Sequence, residues 1–449
     1  MDRQQNRTRK KGCGLLAQLF RDRRVLLALF LAGLFAAEAF LSMWTGLAYD
    51  MKVWFQTGVW MNEGTNIYLP ADHLGYPPLW AFWCLASNHV YSLFSNSMEA
   101  WRFTVKLPMM LAQFGLAFAM AKFAESRFDK KTAQRIFLFA LTWVFFIYIG
   151  ALWGQLNMLS ALLTFLAFYA LVKGRTTVGA VLLGTAITLK IYPLVILPAF
   201  LAYVLKNRDK REALKLVLYT SAVPVVFTVT VFAAYQWDLV YFLQTIFYWT
   251  PAVEANPVLL QGGCMNLWSF TSLLNLDIAS VWLLRFVWVP AVAATAVYWF
   301  RKPTMGEADL NLAIISLYFV YLLTYGFVPE QAFLDPLPFI FLQILAYRPR
   351  KPYLFMLVGV QVLVFAFSTF NWGPFIFEPL LTQFSPSLLK PLQLLNPSRS
   401  SLVWTIRGTL GLSVSLSIAA FLAVLVKPEI LTAMDEKVRK RLSCAFSNR

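Results

Sequence analysis

The chain has 449 residues, of which 59% are hydrophobic and only 14% are charged, and its formal net charge is +17. Soluble domains contain about 25% charged residues, so this composition, with a mean hydropathy of +0.61, excludes an ordinary soluble protein. Apolar runs of about 17–25 residues recur along the chain, and such runs span a bilayer core as helices. We therefore predict an all-α, polytopic membrane protein.

The positive charge is unevenly distributed along the chain. A basic N-terminal segment covers residues 1–24, a basic tail covers residues 427–449, and the connections between apolar runs alternate between basic and nearly uncharged. The outer connection Asp50–Ala100 contains a single Lys or Arg, Lys52, and Gln236–Leu276 contains none. This is the positive-inside pattern of membrane proteins, so we predict cytoplasmic termini and no nucleic-acid partner.

The first apolar run, Val25–Leu47, predicts a retained membrane helix that ends on the outer side at Asp50. It opens the predicted transmembrane domain, residues 25–426, whose first outer loop covers residues 48–100. Leu79–Phe94 is short and is interrupted by polar residues. If it crossed the membrane, the basic run Lys122–Arg135 would face outward, so we predict an interfacial helix instead.

About twelve membrane segments are predicted in all. Val178–Leu205 lies between two basic loops, so it must go out and return, and the sequence LKIYP places its apex near Lys190 and Pro193. Proline disfavours a helical residue before it. The other predicted segments are Trp101–Phe123, Ile136–Trp153, Gln155–Val172, Leu214–Trp237, Ala279–Phe300, Leu310–Phe327, Pro338–Tyr347, Tyr353–Phe370 and Leu402–Val426.

Polar groups are rare in the predicted bundle, and they gather at its outer end. Ionisable groups at membrane depth mark function by default. The candidates are Asp50, Arg102 and Lys106 one turn apart, Lys190 at the apex, Glu330 and Gln331 in an outer turn, Gln155 and Asn157 in WGQLN, and Tyr76 in the first outer loop.

These residue types suit transfer from a lipid phosphate. Asp50 would be the general base that takes a proton from an attacking hydroxyl. Lys190, Lys106 and Arg102 would bind the donor phosphate and stabilise its charge as it leaves. Glu330, Gln331, Gln155, Asn157 and Tyr76 would contact sugar or acceptor. For Arg285 and Arg407, snorkelling to headgroups is the simpler interpretation.

Several short motifs follow one another in an order that resembles the GT-C class of membrane glycosyltransferases. They are AYDMKVW, GTNIYLP with GYPPLW, WRFTVKLP, WGQLNMLSALL, GAVLLGTAITLKIYPLVILP, CMNLWSF and VPEQAFLDPLPF. The resemblance covers most of Asp50–Pro338. The nearest branch in resemblance comprises the polyprenyl-phosphate-mannose-dependent mannosyltransferases, such as the bacterial α-1,2-mannosyltransferases and archaeal relatives. GPI mannosyltransferases are more loosely similar.

The resemblance implies that Asp50 is the general base and that two helices of the first outer loop lie on the membrane. It also implies a polyprenyl-phosphate donor, mannose as the sugar, and a lipid- or glycan-linked acceptor. Some members bind a divalent metal with an Asp-X-Asp or Asp-Glu pair, but here Met51 and Lys52 follow Asp50. We therefore expect no cofactor.

The sequence thus predicts an inverting glycosyltransferase in the cell membrane or the endoplasmic reticulum, with its active site on the extracytoplasmic face. Two alternatives remain at this point. One is a flippase or transporter for lipid-linked sugars, which typically shows internal repeats, and the other is a glycan ligase that uses a polyprenyl-pyrophosphate donor.

Overall fold

A computed structural model describes residues 23–69, 74–248, 264–269, 286–395 and 401–430. In these ranges the chain forms helices and connecting turns and no strand. The α-helices, in chain order, are α1 (Arg23–Trp44), α2 (Ala48–Asn62), α3 (Leu79–Val90), α4 (Met98–Arg127), α5 (Lys130–Thr142), α6 (Val144–Ile147), α7 (Asn157–Val172), α8 (Thr176–Leu189), α9 (Leu197–Asn207), α10 (Lys210–Tyr235), α11 (Leu239–Tyr248), α12 (Trp288–Arg301), α13 (Glu307–Thr324), α14 (Leu337–Leu342), α15 (Lys351–Thr369), α16 (Glu378–Phe384), α17 (Leu389–Leu394) and α18 (Ser401–Val426).

Six of the described helices are long and apolar enough to cross a membrane. They are α1, α4, α10, α13, α15 and α18, and the bent pair formed by Lys130–Thr142 and Val144–Trp153 would make a seventh. Three shorter apolar helices, Asn157–Val172, Thr176–Leu189 and Tyr192–Asn207, accompany them. The prediction of an all-α, polytopic membrane protein is confirmed. Part of the predicted segment Ala279–Phe300 lies outside the described residues.

The predicted first outer loop contains two helices, α2 and α3. The latter has 12 residues and continues into a 3₁₀ turn at Tyr91–Leu93, which agrees closely with the predicted helix Leu79–Phe94. The position of Asp50 differs from the prediction. The first helix ends at Trp44, and Asp50 lies in the first turn of α2, because the chain turns at Gly46 with a φ of +123°.

The break predicted near Lys190 is confirmed. Helix α8 ends at Leu189, Lys190 is extended with φ −155° and ψ 132°, and a 3₁₀ turn over Tyr192–Ile196 leads into α9. Pro193 lies in the first turn of that 3₁₀ helix, where its missing N–H costs no hydrogen bond. The break places the Lys190 side chain inside the bundle, where it is only 3% exposed.

The side chain of Lys106 connects the end of α1 with the turn that precedes α7. Its Nζ donates hydrogen bonds to the carbonyl oxygens of Ser42 (3.1 Å), Thr45 (2.7 Å) and Leu152 (2.9 Å). Carbonyls at the end of a helix lack intrahelical partners, and a cation there also interacts favourably with the helix dipole. The buried ammonium therefore fixes the end of α1 against the turn that precedes α7.

Two glycines make room for this lysine. Gly154 has a φ of +87°, and a Cβ there would lie 2.7 Å from Lys106 Cγ. A Cβ at Gly46 would lie 3.3 Å from Lys106 Nζ. Both positions need glycine, because the left-handed conformation is costly for other residues and because the lysine already occupies the space.

Candidate active site

Asp50 is bound on one oxygen only. Its Oδ2 accepts hydrogen bonds from Trp153 Nε1 (2.8 Å) and Gln155 Nε2 (2.6 Å), and Oδ1 accepts none from the described residues. Burial raises the pKa of Asp50 to about 6, although the bond from Trp153, the charge of Lys190 and the bond from Gln155 each oppose the shift. The carboxylate is thus oriented, half-buried and able to accept a proton near neutral pH.

Tyr76 closes the first loop over this carboxylate. Its hydroxyl donates to Gln155 Oε1 at 3.2 Å, so Gln155 binds Asp50 through its amide nitrogen and Tyr76 through its amide oxygen. The backbone around Tyr76 is itself held by Tyr68, whose hydroxyl donates to the Tyr76 carbonyl at 3.0 Å. The first loop therefore contributes both the acid and an aromatic ring to one cluster.

Lys190 is connected to a second acid through an amide. Its Nζ donates to Asn157 Oδ1 at 2.7 Å, and Asn157 Nδ2 donates to Asp335 Oδ2 at 2.6 Å. Asn157 and Asp335 are 0% and 1% exposed. We call these three residues the lysine relay. It brings together the break after α8, the start of α7 and the turn before α14.

The ammonium of Lys190 lies between two aromatic rings, 5.2 Å from the centroid of Tyr76 and 5.0 Å from that of Tyr192. Contacts of this kind stabilise a cation through its electrostatic attraction to the face of the ring. Apart from Asn157, no described residue accepts a hydrogen bond from Nζ. The remaining N–H groups can therefore bind an anion, and the Lys190 charge already acts on both Asp50 and Asp335.

Glu330 belongs to a neighbouring buried cluster. Its carboxylate accepts from Ser368 Oγ (3.0 Å) and Asn371 Nδ2 (2.6 Å), and Ser368 Oγ shares a 2.7 Å hydrogen bond with Tyr148 OH. The Tyr148 ring contacts that of Trp153, with centroids 6.0 Å apart. Because Trp153 also donates to Asp50, its side chain connects this cluster to Asp50. Gln331, beside Glu330, is buried, and its Oε1 has no partner among the described residues.

Arg102 and Lys106, one turn apart on α4, both reach carbonyl groups at the end of α1, but they bind different ones. All hydrogen bonds of the Lys106 ammonium go to Ser42, Thr45 and Leu152. Arg102 Nη1 lies 3.8 Å from Glu99 Oε1 and 3.5 Å from the Met43 carbonyl. The prediction that these two cations bind the donor phosphate remains a prediction, but neither contacts Asp50 or Lys190 here.

Arg407 is not a snorkelling residue. Its side chain is only 1% exposed, its guanidinium lies 5.3 Å from the Trp404 ring, and its charge acts on Glu330. The snorkelling interpretation is therefore wrong for Arg407, because this residue lies on the buried face of α18 together with Val403, Gly411 and Val414. Arg285 lies outside the described residues.

Sequence reasoning missed two residues of the site. Trp153 was visible as the first letter of WGQLN, but a tryptophan near a membrane surface is more often part of an interfacial belt. Asp335 was visible as the acid in the outer turn FLDPLP, where it could have been a solvated loop residue. Its pairing with Asn157 depends on tertiary packing.

Among the described residues there is no group of three or more His, Cys, Asp and Glu side chains that could hold a metal ion. Asp50 is bound instead by an indole and an amide donor, and Asp335 is bound by an amide donor. The expectation of no cofactor stays an expectation.

A model of the family described as Mannosyltransferase (PIG-M) matches residues 151–250. This stretch resembles a GT-C mannosyltransferase. It includes Trp153, Gln155, Asn157 and Lys190, whereas Asp50 and Asp335 lie outside it. No curated protein matches the chain. The family resemblance inferred from the motifs is confirmed over this stretch, and the match supports mannosyl transfer by a membrane-embedded enzyme.

Proposed function

We propose that this protein transfers a mannosyl unit from a polyprenyl-phosphate carrier to a hydroxyl of a lipid- or glycan-linked acceptor. The observation that carries the proposal is the arrangement of Asp50 and Lys190. A half-buried carboxylate with one unoccupied oxygen lies close enough to a buried ammonium for their charges to interact.

Asp50 acts as the general base. Trp153 and Gln155 hold Oδ2, so Oδ1 is the oxygen that accepts the proton of the acceptor hydroxyl. A general base works best when its pKa lies near the working pH, and burial brings the pKa of Asp50 to about 6. The carboxylate is then ionised at neutral pH and remains a stronger base than an exposed aspartate.

Lys190 contacts the phosphate of the donor. One of its N–H groups is bound to Asn157, and the relay through Asn157 to Asp335 positions the side chain. The phosphate gains charge as the bond to the sugar breaks, and a preoriented cation in a water-poor site stabilises that charge. Asp335 offsets the cost of keeping Lys190 charged when no donor is bound.

The reaction is a single displacement. The acceptor oxygen attacks C1 of the sugar while Asp50 takes its proton, and the polyprenyl phosphate leaves with the electron pair of the C1–O bond. Attack and departure occur on opposite sides of C1, so the configuration at the anomeric carbon inverts. Tyr76, beside Lys190 and bonded to Gln155, is positioned to contact the sugar between them.

The sequence supports the proposed carrier and membrane side. A polyprenyl-phosphate donor is what the resemblance implies, and the long apolar helices place the enzyme where such a lipid resides. The basic termini and connections argue that the ends of the chain are cytoplasmic. The first loop, which carries Asp50, then lies on the extracytoplasmic face.

The decisive experiment uses purified protein in detergent with radiolabelled polyprenyl-phosphate mannose and a mannose-bearing glycolipid acceptor. We expect a labelled product, and we expect Asp50→Asn to lower its formation by at least about 100-fold while donor binding persists. Transfer in detergent requires no separate compartments. A protein that moves the donor across sealed vesicles but forms no product in detergent would be a flippase, and the proposal would be wrong.

A further inference from the structure

A basic cavity opens on the face of α2 opposite to Asp50. It has a volume of about 240 Å³, and its polar lining comes from Lys52, Gln56 and Arg102. Residues 48, 52, 55 and 56 share one side of a helix, and Asp50 lies roughly 160° around the axis from Lys52 at 100° per residue. The helix that carries the proposed base therefore separates this cavity from the proposed donor site.

An apolar groove adjoins the basic cavity. It has a volume of about 290 Å³ and is lined by Phe40 of α1 and by Leu380, Leu381 and Phe384 of α16. Pro379, which lines the cavity, directly precedes Leu380, which lines the groove. Phe40 precedes Trp44 by one helical turn, so the groove lies deeper along the membrane helix α1 than the cavity does.

The groove exposes large apolar side chains. Phe40 is 55% exposed and Phe384 is 58% exposed, and Phe384 packs edge-to-face on Trp44 with ring centroids 5.1 Å apart. Exposed apolar surface next to a membrane helix is suited to an acyl chain. The cavity offers positive charge to a phosphate, and the groove offers apolar surface to an acyl chain. Together they complement the two ends of an anionic phospholipid.

Arg102 has hydrogen-bonding capacity left for an anion. Its Nε is buried without a partner in the described part of the chain. Its contacts with the Met43 carbonyl and with Glu99 are long, at 3.5 and 3.8 Å. A buried donor without a partner costs about 1–3 kcal/mol, and a phosphate oxygen would satisfy it with a charge-assisted bond. Lys52 adds a second positive charge, while Glu99 partly offsets the first.

We propose that this cavity binds the phosphate of an anionic phospholipid whose acyl chain lies in the groove beside Phe40 and Phe384. The sequence predicts phosphate binding by Arg102 in the donor site, but α2 lies between the cavity and Asp50. The lipid is therefore a second ligand and not the sugar donor. By binding at the junction of α1, α2 and α16, it stabilises the end of α1 from which the first loop begins.

Native mass spectrometry of the full chain, released from nanodiscs of mixed phosphatidylglycerol and phosphatidylcholine, tests this inference. We expect retained phosphatidylglycerol on the wild-type protein, at least tenfold less on Arg102→Gln, and a smaller loss on Lys52→Gln. Arg135→Gln, an exposed cation elsewhere, is the matched control and should retain the lipid fully. Lys190→Met should retain it too, because Lys190 belongs to the donor site.

Three outcomes would overturn the proposal. Equal retention of phosphatidylcholine, or retention that is unchanged in both Arg102→Gln and Lys52→Gln, would show that the cavity does not select an anionic headgroup. Displacement of phosphatidylglycerol by polyprenyl phosphate would show instead that the cavity belongs to the donor site. Lipid retention is measured without any transfer reaction, so failure here is distinguishable from failure of the proposed mannosyl transfer.

Discussion

Asn157 and Asp335 are joined by a buried hydrogen bond of 2.6 Å although 178 positions separate them in the chain. The bond fixes the orientation of the Asn157 amide, because Nδ2 must face the carboxylate and Oδ1 must then face Lys190. Asp335 thus decides where the Lys190 ammonium lies without contacting it through a direct hydrogen bond. Within the proposed mechanism, Asp335 is a positioning residue.

Replacing Asp335 with Asn should weaken donor binding more than turnover. The amide can still accept a hydrogen bond from Asn157, but the charge that offsets Lys190 is lost, and the side chain of Lys190 is less firmly held. We expect kcat/KM to fall about tenfold or more, which corresponds to about 1.4 kcal/mol, chiefly through a higher KM for the donor. Steady-state kinetics over a range of donor concentrations measure this.

Glu125→Gln is the control for Asp335→Asn, since it removes an exposed acid that pairs with Lys122 on the surface. It should leave both kinetic constants unchanged. A folded Asp335→Asn protein with an unaltered donor KM would contradict the positioning role.

The pH profile should report the ionisation of Asp50. Burial raises its pKa to about 6, and a general base acts only when deprotonated. We therefore expect kcat/KM to be close to its maximum near pH 7 and to fall as the pH drops through 6, approaching tenfold per unit. Trp153→Phe removes a hydrogen bond that favours the ionised carboxylate, so the acidic limb should move to higher pH.

Trp143→Phe provides the comparison for Trp153→Phe. Trp143 also donates its indole N–H to a side chain, but the acceptor is Gln361, at 3.2 Å, and not Asp50. Its variant should keep the wild-type midpoint. An identical midpoint in Trp153→Phe would show that Asp50 is not the group that titrates.

The helical skeleton was predictable because each signal was local. Apolar runs of bilayer length predicted the long helices, and the proline in LKIYP predicted the break at Lys190, which the structure shows. The turn between α1 and α2 was predicted only approximately, because an apolar run shows the end of a helix to within a few residues. A glycine with positive φ ends the first helix three residues before the predicted end.

The site was predictable only in part, because contacts between distant segments decide it. Asp50, Gln155, Asn157 and Lys190 were predicted and are joined through hydrogen bonds or mutual charge. The one-turn spacing of Arg102 and Lys106 predicted a shared role in binding the donor phosphate. The structure places both at the end of α1, where neither contacts Asp50 or Lys190.

Lys106→Met should destabilise the protein. The ammonium satisfies the carbonyls of Ser42, Thr45 and Leu152, and each buried group left without a partner costs about 1–3 kcal/mol. We expect a melting temperature several degrees lower in detergent, with activity lost in parallel. Lys122→Met, on the same helix but exposed and paired with Glu125, should melt like the wild type. A raised donor KM with unchanged melting would instead indicate phosphate binding by Lys106.

Gly154→Ala tests the same junction from the other side. Gly154 and Gly174 have nearly equal φ values of +87° and +85°, so alanine should cost each about 1–2 kcal/mol in backbone strain. A Cβ at Gly154 would also lie 2.7 Å from Lys106 Cγ, whereas a Cβ at Gly174 would meet nothing within 4 Å. Gly174→Ala therefore measures the strain alone.

We expect Gly154→Ala to melt at a lower temperature than Gly174→Ala and to lose transfer activity, because displacing Lys106 also shifts Trp153 and Gln155 away from Asp50. Equal melting temperatures and full activity in both variants would show that the lysine side chain adjusts freely, and that the junction does not control the position of the proposed base.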